Sequence, residues 1–268
     1  MITDLEKANY PLVGSCIYCG ATEDLEREHI VPHGLYPGGA QGAAVLRKAS
    51  CREHAKITSQ FEQEVLRSMF GLVRVQTGMK SRSKHANAPS SVSVTLTGKD
   101  GEQHVDLTRD DAPVLVTFPI FAPPGFLSPG SYAGGLTVTG AATYSFGRDP
   151  QEVARDQAAD GIRVTQLPFK PAALARMVGK IAYCHAWAEG ALDRIEGKEA
   201  AVLPAIRGER DDIGRWVGTF QGPLSKFERM LHRVVLHEDT DRKLLFGQVQ
   251  LFAYAGTPRY GVILGRLK

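Results

Sequence analysis

Near the start of the chain, Cys16 and Cys19 are separated by two residues and followed by Gly20. Further on, Cys51 and His54 are separated by two more. Two close pairs of soft or borderline donors suit a tetrahedral zinc ion with little loop strain, and Cys3His is an ordinary structural set. Grouped cysteines in a chain of this length point to metal rather than to a disulfide scaffold. The plainer alternative is a pair of buried thiols and a helix-surface histidine. Between the pairs stand Glu28 and His29. An imidazole is the natural proton acceptor near neutral pH, and a carboxylate is a hard ligand for Mg²⁺ or Mn²⁺. The plainer alternative for both is a structural role, as hydrogen-bonded residues on a zinc-held hairpin. The remaining cysteine, Cys184, falls on an apolar helix face and reads as core packing, with His185 beside it structural.

Elements must position these groups. Residues 50–70 read as one helix, with Ser50 at the N-cap, Glu53 completing a capping box, and Gly71 as the stop. Ile57, Phe61, Val65 and Met69 recur every four residues along it and form its apolar stripe. The second metal pair would then sit on its first turn, where amide ends favour thiolate. Residues 86–91 look like a linker. Beyond it, 91–97 alternates as a half-buried strand does, and residues 98–101 supply a turn. Residues 114–121 are a further strand, and the prolines of 121–130 exclude regular structure. Residues 171–190 form a helix in which Leu174, Met177, Val178, Ile181 and Cys184 share a face. The end, 243–267, reads as a hairpin of two strands around residues 255–258.

The order Cys16-Ile-Tyr-Cys19, Glu28-His29-Ile-Val-Pro32, Gly38-Gly39 and Ala49-Ser-Cys51-Arg-Glu-His54 resembles the zinc-containing HNH endonucleases over about residues 14–70. The resemblance implies a ββα-metal unit, in which a hairpin carrying the catalytic histidine packs on a helix. It implies that His29 activates a water for attack on a phosphodiester, and that Glu28 binds a divalent cation, Mg²⁺ or Mn²⁺. His33, four residues on, could reach the phosphate or the metal.

Two departures from the family pattern stand out. An Asn usually found before the second metal pair, where it orders the loop and the histidine, is absent from residues 41–48. The residue after the last zinc ligand, commonly Asn or His facing the catalytic metal, is Ala55. On the helix, Ala55, Ser59 and Glu62 share one face, so Glu62 is the best substitute ligand. It lies about 10 Å along the axis from position 55, at 1.5 Å per residue. Arg47, Lys48, Arg52 and Lys56, taken as near the helix start, would offer phosphate contacts. So would the basic strip of residues 79–85, within a stretch from Val65 to Lys99 holding six Lys or Arg and no acid.

Composition sets only loose bounds. Apolar residues make up 43% of 268 and net charge is +3, which fits a globular protein with a real core and permits a polyanionic partner without demanding one. The N-terminus lacks the pattern of a signal peptide, and no apolar run approaches the ~20 residues that span a bilayer, so a cytoplasmic setting is expected. The sequence thus predicts an α+β protein: residues 1–85 as an HNH-type zinc-bound nuclease unit, and residues 90–268 as a mixed α+β region of unassigned role. The expected function is metal-dependent cleavage of DNA, of the kind used in defence or restriction. The alternative is a zinc-finger unit that binds nucleic acid or protein without catalysis.

Overall fold

A computed structural model describes residues 10–37, 44–79, 91–108, 110–164, 168–197, 199–220 and 226–268. The architecture is α+β. Strands β1 (Leu25–His29) and β2 (Val45–Cys51) pair antiparallel, Glu28 opposite Leu46 and His29 opposite Val45, with a bulge between Glu26 and Glu28. Helix α1 (Arg52–Arg67) follows directly. It starts one residue later than the capping-box pattern suggests. Ser50 is no N-cap: it lies in β2 opposite Glu26, fully buried, and Cys51 takes the cap position without a side-chain cap bond. The strand runs straight into the helix, so the ladder claims Ser50 first. Phe61, Val65 and Met69 are buried as their spacing suggests, while Ile57 is half-buried. Gly71 is not a stop either. Ser68 ends α1, and Gly71 opens the short helix α2 (Gly71–Gln76).

Strands β3 (Ser91–Gly98) and β4 (Gly101–Thr108) form the expected hairpin. Strand β5 (Pro113–Phe121) pairs with β6 (Val138–Gly147), and the proline-rich segment between them holds only 3-10 turns. Helix α3 (Pro150–Asp156) leads to β7 (Gly161–Val164), which pairs with β3. Then come α4 (Pro171–Ala188), α5 (Leu203–Arg207), and strands β8 (Val217–Thr219), β9 (His232–Asp239), β10 (Leu244–Leu251) and β11 (Tyr260–Arg266). The last four make an antiparallel sheet in the order β8-β11-β10-β9. Strands β10 and β11 are the two expected at the end of the chain, joined through a 3-10 turn at Ala253–Ala255.

Helix α4 is the centre of the molecule. It packs on α1 on one side and on β9, β10 and β11 on the other. A helix covered on both sides must be apolar nearly all round, and Leu174, Ala175, Met177, Val178, Ile181 and Ala182 are each fully buried. Close approach to the sheet depends on Gly247 of β10, where a Cβ would come within 2.7 Å of the Ala182 Cβ. The linker expected at 86–91 falls mostly outside the described residues. Across it the buried core is continuous, running from Ile30, Leu35, Phe61 and Val65 through α4 to Val249 and Val262. A smaller cluster lies among β3, β4, β7 and α3. Among the described residues, no helix is long and apolar enough to cross a membrane.

Candidate metal centre and adjoining cleft

Cys16 and Cys19 sit on a turn that closes at Gly20, whose φ of +79° favours glycine. The Gly20 amide donates to the Cys16 carbonyl at 2.8 Å. Cys51 ends β2 and His54 sits on the first turn of α1. The four donor atoms lie within 4.8 Å of one another. Cys19 Sγ is 3.8 Å from Cys51 Sγ, and Cys51 Sγ is 3.2 Å from His54 Nδ1. Sulfurs held 2.3 Å from a tetrahedral ion stand about 3.8 Å apart, so the spacing suits a metal ion such as zinc. The electrostatics agree. Burial pushes the Cys16 thiol up, but amides of Cys51, Tyr18 and Cys19 outweigh it and leave it lowered. Cys19 is pushed up to about 11 by burial and by the neighbouring thiols Cys16 and Cys51. Burial lowers His54, which favours the neutral, ligating imidazole. Crowded thiols of this kind are relieved by a bound dication. The Tyr18 ring stacks on His54 with centroids 5.6 Å apart.

Cys184 stands apart from the cluster. It is fully buried on α4, its Sγ 3.4 Å from the Tyr18 hydroxyl, and burial pushes its thiol up to about 12. Core packing is its role, as its position on an apolar face suggested.

Glu28, His29 and Glu62 converge on one cleft between β1 and α1, of about 470 Å³. Arg27, Arg52 and Lys56 line it too, as does Ala55. Arg47 and Lys48 are not at the helix start; they lie exposed on β2, Lys48 at a φ of +49°. Residues 80–85 of the basic strip and the Gly38-Gly39 pair fall outside the described residues. His33 lies in the 3-10 turn His33–Leu35, its ring centroid 5.2 Å from that of His29. That turn is pinned on two sides. Arg74 Nε donates to the Gly34 carbonyl at 2.7 Å, and the buried His232 Nε2 stands 3.0 Å from the Leu35 carbonyl. The Phe252 amide donates to His232 Nδ1, which places the ring proton on Nε2.

The residue that sequence reasoning missed is Lys180. Its ammonium, wholly buried on α4, lies 2.7 Å from Glu28 Oε1 and 2.9 Å from Glu62 Oε1, and donates to the His29 carbonyl. Glu62, the expected substitute ligand about 10 Å along α1 from position 55, is thus brought to the same cation as Glu28. Burial alone would lower the Lys180 pKa, but Glu28 and Glu62 outweigh it and raise it well above the ordinary lysine value. The ammonium stays charged. One signal was available: Lys180 is the lone Lys, Arg, Asp or Glu between Arg176 and Glu189, and a lysine in an apolar helix must be paired. One turn of α4 reaches both β1 and the turn bearing Cys16 and Cys19, since Tyr183 Oη also donates to the Ile17 carbonyl.

The metal implied at Glu28 fits poorly. Its carboxylate is already taken by an ammonium, Glu62 shares that same cation, and Ala55 offers no donor. No known family, characterised protein or solved structure matches the chain.

Proposed function

We propose that the chain hydrolyses phosphodiester bonds in DNA, as an HNH-type endonuclease whose hairpin and helix are locked by a structural zinc ion on Cys16, Cys19, Cys51 and His54. One observation carries this reading: His29 opens onto a cleft whose other walls bear Arg27, Arg52 and Lys56. In the proposed reaction His29 takes a proton from water. The hydroxide forms a new P–O bond, the bond to the leaving oxygen breaks, and that oxygen takes a proton from solvent. The three cations offset charge on the phosphate. Lys180 ties down the His29 carbonyl, the task the resemblance gives to the absent Asn. A cytoplasmic role in defence or restriction is the setting in which such a chain acts.

The test is cleavage of plasmid DNA by zinc-loaded protein, with single-stranded DNA, modified DNA and RNA as further substrates and a panel of metals. Replacing His29 by Ala removes a positioned base, which costs about 10²-fold or more. Unchanged cleavage in that variant rules out His29 as the base. The alternative, a zinc-held unit that binds without cutting, draws on the neutralisation of Glu28 and Glu62 by Lys180. It expects salt-sensitive DNA binding with no nicking under any metal.

A further inference from the structure

We propose that the Lys180 ammonium is the built-in cation of this cleft: it fills the place between Glu28 and Glu62 that a divalent ion needs, so these carboxylates hold neither Mg²⁺ nor Mn²⁺. The catalytic half of the inference rests on the nuclease reading; the metal-exclusion half stands without it.

Three oxygens surround Nζ, from Glu28, Glu62 and the His29 carbonyl. The His29 carbonyl accepts a hydrogen bond from it, and the two carboxylates stand at ion-pair distance. The carboxylate distances of 2.7 and 2.9 Å belong to a nitrogen. Magnesium takes oxygen at about 2.0–2.1 Å, so each carboxylate would have to close in by more than half an ångström. Lys180 has no exit by which to make way. Its side chain is 0% exposed, on a helix closed in by α1 on one face and the four-stranded sheet on the other. Glu28, at 6% exposure, is itself nearly sealed. The position that would complete a metal's shell is Ala55.

The charge count has a consequence. One ammonium between two carboxylates leaves the group one charge negative, where a dication would leave it neutral. Countercharge for a bound phosphodiester therefore falls to Arg27, Arg52 and Lys56, which face the same cleft along with one further acid, Glu26. The carboxylates and Lys180 hold the His29 backbone in place; they are positioning residues. Hydrolysis at His29 then proceeds without a divalent ion on Glu28.

The experiment is a Mn²⁺ titration of zinc-loaded, full-length protein, reading free Mn²⁺ by its paramagnetic resonance signal. Wild type is expected to leave the signal at the level of protein-free buffer. Lys180→Met frees two adjacent carboxylates and is expected to take up Mn²⁺, with added Glu28→Gln abolishing the uptake. Stoichiometric uptake by wild type that is lost in Glu28→Gln overturns the proposal. So does a folded Lys180→Met protein that takes up no Mn²⁺. Should that variant not fold, the comparison of wild type with Glu28→Gln decides alone. In the cleavage assay, Mg²⁺ or Mn²⁺ added to metal-scavenged buffer is expected to leave the rate unchanged, and a rise of about ten-fold or more counts against the inference. Absence of cleavage under every metal sinks the nuclease reading instead, and leaves the Mn²⁺ titration to decide this one.

Discussion

Replacing Lys180 by Met tests the buried charge cluster most directly. The substitution keeps length and apolar stem while deleting the ammonium. Glu28 and Glu62 are then left facing one another at the floor of the cleft without that cation, and the His29 carbonyl loses its donor. Breaking a buried ion pair by removing one partner costs about 3–5 kcal/mol, because a desolvated charge loses its counterion. Lys180 is shared by two carboxylates, so a loss towards the upper end is expected, against a total stability of about 5–15 kcal/mol. For a protein of this size that is a fall in Tm of roughly 10–20 °C. Urea unfolding followed by the fluorescence of Trp187 and Trp216 reads it. The companion is the neutral triple variant Glu28→Gln, Lys180→Met, Glu62→Gln. Replacing a whole buried ionic group by neutral side chains is often nearly neutral or stabilising, so the triple variant is expected to recover most of the loss. The effects should be strongly non-additive, as for residues in one network. A cost below about 1 kcal/mol for Lys180→Met, the scale of an exposed pair, refutes the buried placement of the ammonium.

Other outcomes follow from the same structure. Zinc removal by a chelator, or His54→Ala, is expected to unravel the turn at Cys16 and the start of α1, because metal affinity here is folding free energy; zinc content and circular dichroism check it, and a fully folded metal-free protein contradicts it. His232 titrates near 4 when folded, through burial, and near 6.5 when unfolded. The unfolded chain binds the proton first, so stability is full above about pH 6.5 and falls towards pH 4, by up to about 3 kcal/mol. Wild type should show this slope in excess of His232→Gln, and matching slopes refute it. Gly247→Ala places a Cβ within 2.7 Å of the Ala182 Cβ, costing about 1–3 kcal/mol by overpacking; adding Ala182→Gly is expected to return part of that stability in urea unfolding.

Local signals exposed some parts of this protein and hid others. The four metal donors lie in two short pairs, each set by one turn, so their meeting was readable from spacing. Strands β3, β10 and β11 declared themselves by alternation or apolar runs. The start of α1 did not, because Ser50 and Glu53 carry a capping signature that tertiary pairing with Glu26 overrides. Strand β4 is mostly polar and exposed, and only its partner β3 and the turn mark it. The stripe on α4 suggested one buried face, whereas layers on both sides bury nearly all of it. Glu62 was placed on the correct face of α1. Its meeting with Glu28 was hidden, because the residue joining them lies far along the chain, where no spacing rule applies.

That separation sets an order of events during synthesis. His29 and Lys180 stand 151 residues apart. At about 5–20 residues per second, some 8–30 s pass between their emergence from the ribosome. In that interval the hairpin and α1 can form around the four metal-type donors, but Glu28 and Glu62 lack the Lys180 ammonium that later joins them. Arrival of α4 ends the wait, and only then can the cleft close behind His29 in its final form. A nascent or truncated chain that stops short of α4 therefore carries the sequence motif without the assembled site.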